Sequence, residues 1–146
     1  MSIEENKALV RRFYEQVYKA HDLDMGVSML ARDYIQHDPM NKFSGGAEGW
    51  RRINAAYWKA FPDQILTVRG QVAEGDLVTT CWTSSGTDSG TGLWGRPPTG
   101  RKYSFQGISV SRVIDGKIAE EWIVWESAGL MQQLGIERIP EIPIPA

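Results

Sequence analysis

The sequence predicts an α+β domain, with helices first and an antiparallel sheet after them. Up to Phe61, apolar residues recur at three- and four-residue spacing, the period of a helix with one buried face. Beyond Pro62 the pattern changes to runs of β-branched and aromatic residues punctuated by tight turns. The length agrees: 146 residues, 42% apolar and 23% charged, suit one core and one cavity.

The elements follow in order. Ser2 and Glu5 form a capping box that opens the first helix. Val10, Phe13, Tyr14, Val17 and Tyr18 make its apolar stripe. His21-Asp22-Leu23-Asp24 breaks it, and Asp22 or Asp24 caps a short second helix ending near Ala31. Tyr34-Ile35-Gln36-His37-Asp38-Pro39 reads as a loop. A third helix runs from about Ala47 to Phe61, with Trp50, Ile53, Tyr57 and Phe61 on one face, and Pro62 stops it.

Strands are expected at Ile65 to Val72, Leu77 to Thr87, Tyr103 to Ile114 and Ile118 to Trp125. Glu74-Gly75-Asp76 is a turn, and Asp115-Gly116 is a two-residue hairpin signal. A last short helix ends at Leu134, with Gly135 as its cap. No repeat or second domain is visible. The chain is read as one domain, 1–146, with an ordered core of about 3–136 and an extended proline-rich tail over 137–146.

Composition excludes several functions. The net charge is −2 and no basic cluster exceeds a doublet such as Arg11-Arg12 or Arg51-Arg52, which argues against a nucleic-acid partner. No apolar run approaches membrane-spanning length and the N-terminus has no signal core, so no membrane partner is expected. One cysteine, Cys81, fits a reducing compartment, taken as the cytoplasm, and is expected to be a buried, inert thiol. The two histidines, His21 and His37, have no metal-ligand spacing, so no metal is expected. Gly90-Thr91-Gly92-Leu93-Trp94-Gly95 matches a dinucleotide-binding pattern, but Arg96-Pro97-Pro98 forbids the helix that pattern must feed.

The residue to explain is Glu126, a carboxylate ending an apolar, tryptophan-bearing strand. If it faces inward, it must be hydrogen-bonded, paired or kept for chemistry. Alternatively it caps the next helix or pairs with an arginine. With Glu126 inward, period two turns Val124, Trp122 and Glu120 inward as well. On the preceding strand Tyr103, Phe105, Gly107, Ser109 and Ser111 share a face suited to a cavity. Ile108, Val110 and Ile114 then face the helices. Gly107 allows a bend or leaves room for a ligand, or is a plain bulge.

In order along residues 5 to 136, a set of motifs resembles the SnoaL-like polyketide cyclases of the nuclear-transport-factor-2-like superfamily. They are Asp33-Tyr34-Ile35-Gln36-His37-Asp38-Pro39, Gly46-Ala47-Glu48-Gly49, Ala60-Phe61-Pro62-Asp63 and Ala73-Glu74-Gly75-Asp76. Gly86-Thr87 through Pro97-Pro98-Thr99-Gly100, Asp115-Gly116-Lys117-Ile118 and Gln133-Leu134-Gly135 complete the set.

The resemblance implies a cone-shaped α+β barrel: three N-terminal helices packed on a curved, mostly antiparallel sheet that encloses a pocket. It implies a cofactor-independent enzyme in which Glu126, standing where the cyclases carry aspartate, is the general acid/base on a hydrophobic carbonyl compound. The reaction of the cyclases is an intramolecular aldol condensation. An isomerase, dehydratase or hydrolase in the same scaffold, or a non-catalytic binding module, are the alternatives. His37 is the second catalytic candidate, over the cavity mouth, against a loop histidine satisfied by backbone. Trp82, Asp88, Tyr103, Phe105, Ser109 and Trp122 are the expected substrate contacts. Asp88 stands where relatives carry histidine, and Gly107 and Ser109 where cyclases carry glutamine and histidine. A homodimer is implied too, through outer sheet faces including Thr79, Cys81, Thr83, Ile123 and Trp125.

Overall fold

The computed structural model describes residues 1–136. The expected tail over 137–146 lies outside the described residues. The capping box at Ser2 and Glu5 is present and starts α1 (Ile3–Arg12). The helix then widens into a π segment, Phe13–Val17, and continues as α2 (Tyr18–Ala20). That wider turn brings Phe13, Tyr14 and Val17 inward together, all buried. His21 ends the run in the left-handed conformation at φ 51°, and Asp22 caps α3 (Leu23–Met29) by accepting the Met25 N–H at 2.9 Å.

The segment read as helix end and loop is a strand, β1 (Leu30–His37). It pairs in parallel with β5 (Lys117–Trp125), more than eighty positions away in sequence. Nothing local favours such a strand over a loop, because its partner is distant. Gly45 and Gly46, both at positive φ, then turn the chain into α4 (Gly46–Ala60). A Cβ at Gly46 would lie 2.0 Å from the Arg32 carbonyl oxygen, so only glycine lets this helix start so close to β1. Trp50, Asn54 and Trp58 form its buried stripe.

The remaining strands form the expected meander: β2 (Ile65–Glu74), β3 (Leu77–Thr87), β4 (Lys102–Ile114) and β5, in the sheet order β1-β5-β4-β3-β2. The fold is α+β, with a curved sheet left unclosed. Asp115 and Gly116, at φ 50° and 73°, make the predicted turn. The glycine-rich run after β3 becomes a single 3-10 turn, Leu93–Gly95, followed by β4 rather than a phosphate-binding helix. α5 (Ser127–Gln133) closes the described part. Among the described residues no helix is long and apolar enough to cross a membrane.

The helices cover one face of the sheet. Val78, Trp82, Tyr103, Phe105, Val113 and Ile118 meet Val10, Phe13, Val17, Trp50 and Phe61 there. The opposite face is open, with Ile108, Val124 and Val72 at 51%, 71% and 69% exposure. This reverses the expectation that Ile108, Val110 and Ile114 pack on helices. Cys81, expected buried, pairs with Ile108 on β4 and shares its exposed face. Gly107 is neither a bulge nor room for a ligand: its pairing with Trp82 and Trp125 is regular, and the Trp82 ring fills the space beside it, 2.2 Å from where a Cβ would stand.

A bulge decides which β5 residues face inward. Glu120 pairs with Arg112 and Ile118 with Val113, leaving Ala119 extra. Ile118 and Glu121 are therefore both buried, at 0% and 1% exposure. Beyond the bulge Ile123 and Trp125 point inward, opposite Ser109 and Gly107, and Val124 points outward. Ile123 and Trp125 thus leave the expected dimer face.

Candidate functional site

A cleft of about 90 Å³ lies between the inner sheet face and the helices. Phe105, Trp82, Ser109, Ser84 and Leu66 come from the sheet; Ile123 and Trp125 from β5; Tyr14 and Tyr18 from the first helical run; Ile53, Asn54 and Tyr57 from α4. Gln36, Asp38 and Asn41 close one side.

Of the expected substrate contacts, Trp82, Phe105 and Ser109 line this cleft. The Trp82 indole donates to Ser109 Oγ at 2.9 Å, passing over Gly107. Tyr103 is buried against Phe61 and Phe105, outside the lining. Asp88 is fully buried in the loop after β3, where one oxygen accepts the Thr99 N–H at 3.0 Å and the Thr99 hydroxyl at 2.9 Å. Its surroundings are those of a loop anchor, away from the cleft.

Glu126, His37 and Trp122 all stand outside the lining of this cleft. Glu126 is exposed and accepts the Gln106 N–H at 3.0 Å. An inward Glu126 would carry Glu120, Trp122 and Val124 inward with it at period two, and the extra Ala119 puts these residues out of phase with the buried Ile118. Trp122 is sandwiched on the outer face between the His37 ring, at 5.2 Å, and the Arg112 guanidinium, also at 5.2 Å. Glu120 joins the two, accepting from Arg112 at 2.9 Å and pairing with His37 at 2.8 Å. His37 therefore belongs to the outer face, and not to the cavity mouth.

The carboxylate in the cleft is the neighbour of His37. Asp38 is 7% exposed. Its Oδ1 accepts the backbone N–H of Met40 at 2.9 Å and of Asn41 at 3.3 Å, and its Oδ2 accepts Asn41 Nδ2 at 3.0 Å. The Trp125 indole N–H is shared between both oxygens at 3.2 Å. Asn41 is braced in turn by the Tyr57 hydroxyl at 2.8 Å. A carboxylate accepts about four hydrogen bonds, and these four donors meet that number; Oδ2, with Asn41 Nδ2 and only a share of the Trp125 N–H, is the less tightly held oxygen, so a proton taken there displaces the shared indole bond. The sequence carried a signal for this: alternation along β1 from buried Tyr34 places 36 and 38 inward and 37 outward. Reading the segment as loop concealed it.

A second carboxylate lies deeper. Glu121 accepts hydrogen bonds from the Tyr14 hydroxyl, from Tyr34 at 2.8 Å and from Ser111 at 2.6 Å. Complete burial pushes its pKa up, against the pull of those three hydroxyls. Burial and the Glu121 charge push Tyr14 and Tyr34 well above the usual tyrosine value, and burial takes Tyr57 to about 12. These phenols therefore keep their protons at neutral pH. Among the described residues no group of three or more His, Cys, Asp or Glu side chains is arranged to hold a metal ion.

A family profile for SnoaL-like polyketide cyclases matches residues 8–134. No curated protein matches the sequence. Among solved structures, AclR of Streptomyces galilaeus, named provisionally as a hydroxylase, is 28% identical with a TM-score of 0.82. The match covers 97% of this chain and 91% of AclR. IdmH of Streptomyces antibioticus, named provisionally as a polyketide cyclase, is 30% identical over 89% of this chain and 98% of its own, with a TM-score of 0.76. TsrD of Streptomyces laurentii is 26% identical with a TM-score of 0.83, covering 93% of this chain and 98% of its own.

Proposed function

The chain belongs to the SnoaL-like polyketide cyclase family, and we propose that it is an enzyme acting on a hydrophobic carbonyl compound, with Asp38 as the general base. The observation that carries this reading is Asp38 itself, a nearly buried carboxylate fixed at the wall of an aromatic cleft. Fixed N–H donors hold it in place, so no reorganisation is needed when it takes a proton from carbon. The electron pair left on carbon spreads into the substrate's own carbonyl, the enolate closes a ring by attack on a second carbonyl of the same molecule, and the alkoxide so formed takes the proton back from Asp38. The step calls on no cofactor. The carboxylate role expected of Glu126 passes to Asp38, because Glu126 stands on the far side of the sheet.

Size restricts the bound pose. Sites that engulf a drug-sized ligand measure roughly 300–1,000 Å³, and this cleft holds about 90 Å³. Only one ring of a polycyclic substrate enters, and the rest extends out of the cleft. Asp38→Asn tests the reading on a panel of aromatic polyketide esters. Turnover should fall about a hundredfold or more, with affinity retained as read by quenching of Trp82 and Trp125 fluorescence. Wild-type turnover in the variant would remove Asp38 from the mechanism. Binding without turnover by the wild type would favour a non-catalytic binding module, a reading that the exposed position of Glu126 supports.

The exposed outer face, with Ile108, Val124 and Cys81, is the surface on which we place a second copy of the chain. Sedimentation of the wild type at micromolar concentration should show a dimer, and Val124→Asp should shift it to monomer.

A further inference from the structure

The proposed reaction leaves unused the buried carboxylate that adjoins the cleft lining. Glu121 is held by hydroxyls from three elements: Tyr14 on the π segment, Tyr34 on β1 and Ser111 on β4. Among the described residues its hydrogen-bond partners are these hydroxyls alone, and the further phenol facing the cluster is Tyr18. Of the group, Tyr14 also lines the cleft, with the Ser109 hydroxyl beside its phenol. Glu121 is thus one side chain away from any ligand.

Each hydroxyl has a single proton to donate. While Glu121 is ionised it accepts from Tyr14, so that proton points away from the cleft and the phenol shows a ligand only lone pairs. When Glu121 carries a proton on Oε2, it donates to the Tyr14 oxygen. The Tyr14 proton is then released toward Ser109 and the cleft. Tyr14 changes from acceptor to donor with no movement of heavy atoms.

We propose that Glu121 is a positioning residue that acts through Tyr14, turning the phenol into a hydrogen-bond donor for a ligand's carbonyl oxygen, so that the cleft binds a ketone together with one proton. The proton comes from solvent, and no covalent bond to the ligand forms. Burial without a cationic partner favours the neutral acid in the same direction. The inference rests on the reading of the cleft as a site for carbonyl compounds, and it says what meets the oxygen while Asp38 meets the carbon-bound proton.

The test uses two non-reacting probes of nearly the same shape, acetophenone and α-methylstyrene, which differ by a carbonyl oxygen in place of a methylene. Their dissociation constants are measured by tryptophan quenching between pH 5 and 8 on the full chain. Wild type should prefer acetophenone by about tenfold at the acid end, the worth of one good hydrogen bond, and lose that preference as pH rises. Glu121→Gln, whose amide donates to Tyr14 at every pH, should hold the preference throughout. Tyr14→Phe should abolish it at every pH while α-methylstyrene still binds.

A preference in wild type that ignores pH, or its loss in Glu121→Gln, overturns the proposal. A structural role alone would weaken both probes equally. If Glu121→Gln does not fold, the wild-type pH series and Tyr14→Phe decide. Failure of both probes to bind overturns this inference and the carbonyl reading of the cleft together. Loss of turnover in Asp38→Asn beside a pH-independent preference overturns this inference alone.

Discussion

Glu120 and Glu121 are neighbours on β5, and the sheet separates their chemistry. Glu120 looks outward, partly exposed, between the charged or chargeable partners Arg112 and His37. Glu121 looks inward, wholly buried, with only hydroxyls around it. Water and counter-charges screen the first, so its state has little leverage on the fold. The second has no screening, so its state of protonation is felt by every group it touches. The same division separates Asp38 from His37 and Gly107 from Ile108. The outer face suits association, and the inner face holds the groups able to do chemistry.

The comparison breaks most sharply in turnover. Asp38→Asn and Glu126→Gln remove one ionisable group each, on opposite sides of the sheet. The first should cost about a hundredfold or more in rate, and the second no more than about twofold, measured as kcat on a substrate the wild type turns over. A hundredfold loss in Glu126→Gln would return the base to the strand end.

Packing offers the next contrast. Gly107→Ala puts a methyl into the Trp82 ring, which is buried and hydrogen-bonded to Ser109 and cannot easily yield. A loss of roughly 2 kcal/mol is expected from such overpacking, against less than about 1 kcal/mol for Ile108→Ala one position on, which is half exposed. Urea unfolding of the two variants measures both.

The pH dependence of stability follows from the direction of the Glu121 shift. Its folded pKa is raised above the ordinary 4.5, so between that value and the raised one the folded state holds the extra proton. This contribution is fully present below pH 4.5 and is lost as pH rises through the folded pKa. Glu121→Gln should remove that slope in a urea titration repeated across pH. Glu120→Gln should leave the slope in place and change stability by about 0–1 kcal/mol, the smallest effect of the set.

Helix starts and turns were legible because their causes are local. Ser2 and Glu5 satisfy each other within one turn, and Asp115-Gly116 needs only the backbone freedom of its own residues. The inner face of β4 was legible too, since Tyr103, Phe105, Gly107, Ser109 and Ser111 alternate without interruption. Phe105 and Ser109 were found in this way. Asp38, Tyr14 and Glu121 were not. Asp38 was hidden because β1 exists only through its parallel pairing with β5. Tyr14 looked like core, which it also is.

By itself, then, the sequence determined the α+β class, the order of elements and the aromatic character of the cleft, since propensity, capping and period are properties of neighbouring residues. The tertiary structure alone decided which carboxylate faces the cleft. One extra residue at Ala119 reverses the phase of a strand whose side chains repeat every two positions, and that bulge is set by the pairing of β5 with β4. Glu121 was thereby turned into the core and Glu126 out to solvent.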